Sequence, residues 1–472
     1  MFDPVIAPSG TLLGLLQRGR GDGTLHALTA PRAEALAALE HCVLHDPRHD
    51  WQVENRSLYY ARLFLDLHGG LDAVEAHLFD PEDVLDTDES RTGLALAVLG
   101  HLASYGRADA LALLRRYAAT GSNWAWALDE LALRDDDTAL RALAAPVLAR
   151  FPADAEGDAE LAATVRDAFE PRPWRLWAED PREAIASRVR TAHEAGCFDR
   201  WQRQMRPTGP RPGWSVQAVF EWARQGLERG AALHVPAARC LVAVAGPEDR
   251  PEIIRAARLG DDGARCTALR YLADCDDPGA LDLIEAAFAD GSGAVVEAAV
   301  DAFERMRGSA AVERARGWAR RPDPLGAAAG RVLACRGGTR DRDAVLAALR
   351  DAVRSEGPDA ATLWTLVDGT GRLGITCAAP VLRHVYRETA SSHLRGRAAR
   401  ALAATDPSFA AGFAVECLWD CEETTRELAA RHAETGDARV VDRLRRLAAD
   451  PAEEAEVQTA VRSRIGPDVP LA

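Results

Sequence analysis

Apolar residues in this chain recur at i, i+3 and i+4 in segments of about 10 to 16 residues, and Gly, Pro and Asp separate the segments. That spacing is the stripe one face of an α-helix presents to a core. Stretches with period-two alternation are nearly absent, and the dominant residues (Ala, Leu, Arg, Glu) are strong helix formers. The pattern predicts an all-α chain.

The second half predicts more than helices. Leu241 with Val244, Leu269 with Leu272, Val300 with Phe303, and Gly330 with Leu333 are pairs three residues apart, and successive pairs step by 28, 31 and 30 residues. A small residue precedes each pair (Cys240, Ala268, Ala299, Ala329), where close helix approach needs one. A turn rich in Gly, Asp and Pro follows each, then a second helix. Two helices per step of about 30 residues is the signature of a helical solenoid. In the first half, helices are expected over 55–68, 91–105 and 123–133, with partners over 71–79, 108–119 and 137–150.

The run from Asp262 to Leu281 (DGARCTALRYLADCDDPGAL) and the run from Leu394 to Pro407 (LRGRAARALAATDP) resemble HEAT repeats, in the short bacterial form first named for phycobilisome lyases. The resemblance implies a HEAT-type helical solenoid, an α-α superhelix, and it covers about half the chain. It implies no single activity, because the fold serves many. The expected organisation is two lobes: a divergent HEAT-like lobe over 1–205, a Pro/Gly-rich boundary over 206–213, and a HEAT-repeat lobe over 214–472.

Composition then removes several chemistries. All 57 basic residues are Arg, so a lysine Schiff base, a P-loop lysine or a kinase strand lysine is excluded. The formal charge of −15 opposes broad attachment to nucleic acid or anionic lipid. No stretch is long and apolar enough to span a bilayer, and the start lacks a secretory pattern. Nine cysteines without a CxxC pair fit free thiols in a reduced, cytoplasmic protein. His41, His45 and His49 have suggestive spacing, but Pro47 interrupts it and no HExxH order is present, so no metal or other cofactor is expected.

Three groups of residues are candidates for binding. Eight of the eleven tryptophans fall between 51 and 222, more than a regular helix stack needs for its core, and the densest cluster of aromatic and polar groups contains Trp51, Arg56, Tyr59 and Tyr60. Trp124, Trp126 and Asp129 form a second cluster. Trp, Tyr and Arg are the residues over-represented at binding hot spots, and they also fill irregular cores. The third group, Arg314, Arg316 and Arg320, belongs to a segment (301–350) with a net charge of +5, against −7 over 51–100. No nucleophile elbow, phosphate loop or metalloprotease motif occurs.

The expected function is therefore a non-enzymatic protein-interaction scaffold or regulator, with a protein or peptide partner on the concave side of the stack. Nucleic acid and membrane are not expected partners. The alternative is a small-molecule or nucleobase-handling enzyme with its site in the aromatic N-terminal lobe. Helical-repeat glycosylases set an aromatic group and a carboxylate against a damaged base, although no motif here matches them residue by residue.

Overall fold

A computed structural model describes residues 4–81, 83, 89–204 and 213–465. The boundary segment expected over 206–213 lies outside the described residues apart from Gly213, as do Asp86 and Asp88 of the acidic segment. The described residues are helical, joined by short turns, with no β-strand among them.

Contacts divide the chain into two compact units. One comprises Met1–Met205 together with Val385–Ala472; the other is Arg206–His384. The division between His384 and Val385 has no counterpart in the hydrophobic pattern.

In the 206–384 unit every second helix packs on the next. Asp262–Asp274 lies against Gly293–Arg305, which lies against Pro324–Arg336, which lies against Leu363–Arg372. The intervening helices Ala280–Asp290, Ser309–Trp318 and Arg342–Glu356 each pack on the helix that follows. The repeated pairs explain this order. Leu241, Leu269, Leu272, Phe303, Gly330 and Leu333 are buried, while Val244 and Val300 are half-buried. A β-carbon on Gly330 would lie 2.5 Å from the Ala348 β-carbon, so only glycine lets those two helices approach.

Capping sets the same step. Asp261, Ser292 and Asp323, each 31 residues from the next, accept the first free backbone N–H groups of their helices. The helix C-termini are served by arginines from elsewhere in the sequence. Arg336 donates to Glu304 O at 2.9 Å, and Arg372 donates to Ala334 O and Gly337 O, both at 2.9 Å. In the other unit Arg32 donates to Leu67 O and His68 O at 2.8 and 2.6 Å, Arg172 to Ala132 O at 2.6 Å, and Arg464 to Arg431 O at 2.8 Å. The last carbonyls of a helix have no partner within it and carry the negative end of its dipole. A planar fork of N–H donors that stays charged satisfies both needs.

In the unit built from both ends of the chain, helix Ser57–Asp66 packs on Glu89–Ser104, followed by Ala108–Thr120 and Trp124–Arg134. The helix expected over 137–150 is broken into Asp137–Ala142 and Ala144–Leu148. Pro146 has no N–H to give the Ala142 carbonyl, which ends the first segment there. Later in sequence, Ser392–Thr405, Phe413–Cys417, Glu423–His432, Ala438–Ala449 and Ala455–Ile465 complete the unit, and Gly21–Thr29 packs on Phe413–Cys417.

Candidate functional site

A buried polar assembly joins the N-terminal and C-terminal segments of the unit built from both ends of the chain. Helices Leu12–Gln17 and Gly21–Thr29 meet at Gly19, whose φ of +67° is one that side chains rarely adopt. A β-carbon there would also lie 2.4 Å from Cys421 Sγ. This turn directs carbonyl oxygens at guanidinium groups from both ends of the chain. Arg395 donates to Arg18 O at 2.6 Å and pairs with both Asp420 oxygens at 2.8 and 3.0 Å. Arg56 donates to Gln17 O and to Ala390 O, and pairs with Glu54. Arg20 meets Glu416 at 2.9 Å. Arg426 pairs with both Glu453 oxygens at 2.9 and 2.7 Å and donates to Asp420 O and Cys421 O. Arg62 reaches Asp450 at 2.7 Å and Glu453 at 3.0 Å, and Tyr105 OH also donates to Asp450. The Arg56, Arg395, Asp420 and Glu453 side chains have between 0 and 1% of their surface exposed.

Of the residues singled out in sequence, three belong to this assembly. Arg56 is spent on internal acceptors. Tyr59 OH donates to Arg20 O at 2.8 Å and Tyr60 OH to Leu16 O at 2.9 Å, and burial pushes both phenols well above the usual tyrosine range. Arg20, Arg395, Asp420, Arg426 and Glu453 did not stand out in sequence. One signal was present: Arg395 and Arg426 stand 31 residues apart, each fourth in its helix, where the apolar stripe should continue.

The second cluster divides between two neighbourhoods. Trp126 and Trp51 come together, ring centroids 5.5 Å apart, and Trp126 rests on Gly93, where a β-carbon would lie 2.9 Å from the indole. Trp51 and Val53 remain 37% and 44% exposed. The Val53 carbonyl lies 3.0 Å from His393 Nε2, so this edge is anchored to the C-terminal helices of the same unit. Trp124 instead meets Phe151 and Trp174 edge-on, with the Arg150 guanidinium 5.5 Å from its ring. It is part of the packing that buries Trp174 and Trp177.

Asp129 accepts from Glu170 N at 3.1 Å, and burial raises its pKa to about 6. Its neighbour Glu130, at 2.6 Å from Arg134, is raised by burial to about 7. An acid whose folded pKa is raised keeps a proton that the unfolded chain has lost, so stability falls as pH rises through the interval between the two values. For Glu130 that interval runs from 4.5 to about 7. Urea midpoints at pH 5 and pH 7.5 are expected to drop less in Glu130→Gln than in the native chain. An equal drop in both would remove Glu130 from the account.

The third group is engaged within its own unit. Arg314 pairs with Asp282 at 2.7 Å and Glu285 at 3.3 Å, and Arg316 meets Asp341 at 2.7 Å. Arg331 pairs with Glu304 and Arg340 with Glu313, acids of the same segment, while Asp274, Asp282 and Glu285 bring acids from outside it to Arg305, Arg314 and Arg321. Arg320 is exposed.

His41 and His45 stack at 4.5 Å, and among the described residues no group of three or more His, Cys, Asp or Glu is arranged to hold a metal ion. Nor is any described helix long and apolar enough to cross a membrane. Searches of protein-family models, of curated proteins and of solved structures found no match to this chain.

Proposed function

We propose that this chain is a HEAT-type α-solenoid scaffold, working in the cytoplasm without catalysing a reaction, and that it holds a protein or peptide partner. The observation that carries the proposal is the recurring step of about 30 residues, which apolar pairs, helix caps and alternate-helix packing share. Chains built this way offer extended surfaces to partners. Trp51 and Val53, exposed beside Trp126, supply the aromatic and aliphatic anchor such a surface uses.

The test is affinity capture from the native cytoplasm with the full chain, alongside Trp51→Ala and Val53→Asp. A partner retained by the native chain and lost from both variants is the expected result. Capture unaffected by either substitution would move the interface elsewhere. A second proposal, a small-molecule or nucleobase site in the N-terminal lobe, draws on Asp129, whose half-buried carboxyl holds its proton to about pH 6 close to the aromatic cluster. Saturable binding of nucleobases, abolished in Asp129→Asn, would favour it over the scaffold.

A further inference from the structure

Arg443 stands apart from the other arginines of the buried assembly. It lies on helix Ala438–Ala449 and is half-buried. Its Nε donates to Leu418 O at 3.0 Å, closing the end of helix Phe413–Cys417, and its guanidinium carbon sits 5.4 Å from the centroid of the half-buried Trp419 ring. Among the described residues no carboxylate forms an ion pair with it, and its two Nη atoms make no hydrogen bond yet are not sealed from solvent.

The surroundings sharpen the contrast. Arg62 and Arg426 lie close enough to repel Arg443. The acids that answer them, Asp450 and Glu453, are bound bidentate or shared between those two guanidiniums. Three cations thus face two anions in a largely buried place, with the exposed Asp66 as the next acid. His101 nearby is held neutral, its pKa lowered to about 4 by burial first, then by Arg134, Arg62 and Arg426. Burial, together with Arg62 and Arg426, lowers the Arg443 pKa to about 9. A charge taken from water without a partner is costly, and an arriving anion would recover that cost.

We propose that Arg443 is an oxyanion receptor: its two free Nη atoms, set beside Trp419 and amid Arg62 and Arg426, take a single carboxylate or phosphoryl group. The guanidinium fork matches two oxygens of either group. A polyanion such as nucleic acid is disfavoured by the −15 charge of the whole chain. The site stands independently of the Trp51 surface, so failure of either proposal leaves the other intact.

Calorimetric titration of the full chain with inorganic phosphate, against chloride at equal ionic strength, tests this. Saturable phosphate binding is expected in the native chain, weakened at least tenfold in Arg443→Gln and to an intermediate degree in Arg443→Lys, which keeps a charge and loses the fork. Circular dichroism shows whether each variant is folded; if the Gln variant is not, the Lys variant decides. No saturable binding in the native chain, or equal binding in the native chain and the folded variants, would overturn the proposal. Adding hexaglutamate to the phosphate complex identifies the source. Displacement points to a carboxylate of an acidic protein segment, and an undisturbed complex to a phosphate-bearing small molecule.

Discussion

Arg395→Ala is expected to destabilise the unit that holds both chain ends by about 3–5 kcal/mol, the usual cost of removing one member of a buried ion pair. The substitution leaves Asp420 charged and sealed from water, and it takes the donor from the Arg18 carbonyl. Removing the charge from both partners should cost far less, because no lone ion then remains in the core. Arg354→Ala is the control: it pairs with Asp351 on the surface, both side chains being more than two-thirds exposed, and is expected to leave the urea midpoint unchanged. Equal shifts for the two variants would mean that Arg395 is solvated in the native protein.

The second large effect concerns fragments. Residues 206–384 expressed alone are expected to fold cooperatively, since their alternate-helix packing and their Arg–carboxylate pairs lie within the segment. Residues 385–472 alone are expected to be largely unfolded. Their Arg395 and Cys421 backbone are completed by Arg18 and Gly19, and Glu416 by Arg20. Denaturant titrations followed by circular dichroism check both. A cooperative transition in 385–472 would show that these helices need no partner from the N-terminal segment.

Much of the local structure was legible in sequence because it rests on local chemistry. Leu269 and Leu272 are buried because their spacing puts both on one helical face. Pro146 shows the limit of periodicity: the apolar stripe runs through it while the hydrogen bonds cannot.

The candidate site was much less legible. Arg56, Tyr59 and Tyr60 stood out as a dense polar and aromatic cluster, but those residue types serve an interior and a binding surface equally well, and only the carbonyls facing them decide. Arg395 was invisible for a stronger reason. In a chain whose every cation is arginine, a buried fork and a solvated one carry the same letter. The acceptors that distinguish them, Arg18 O and Gly19 O, lie 377 and 376 residues away.

The Gly19 turn also has a consequence for synthesis. Its carbonyls emerge early from the ribosome, whereas Arg395 follows only after the whole of 206–384 has been made. Roughly 190 residues separate the end of the N-terminal segment from that arginine, which at about 5–20 residues per second is a delay of about 10–40 s. During that interval the intervening unit can fold, while the N-terminal segment waits with part of its interior open and Glu54 and Arg56 accessible to water. Codon changes that slow translation across 206–384 would lengthen the exposed period without altering the finished protein.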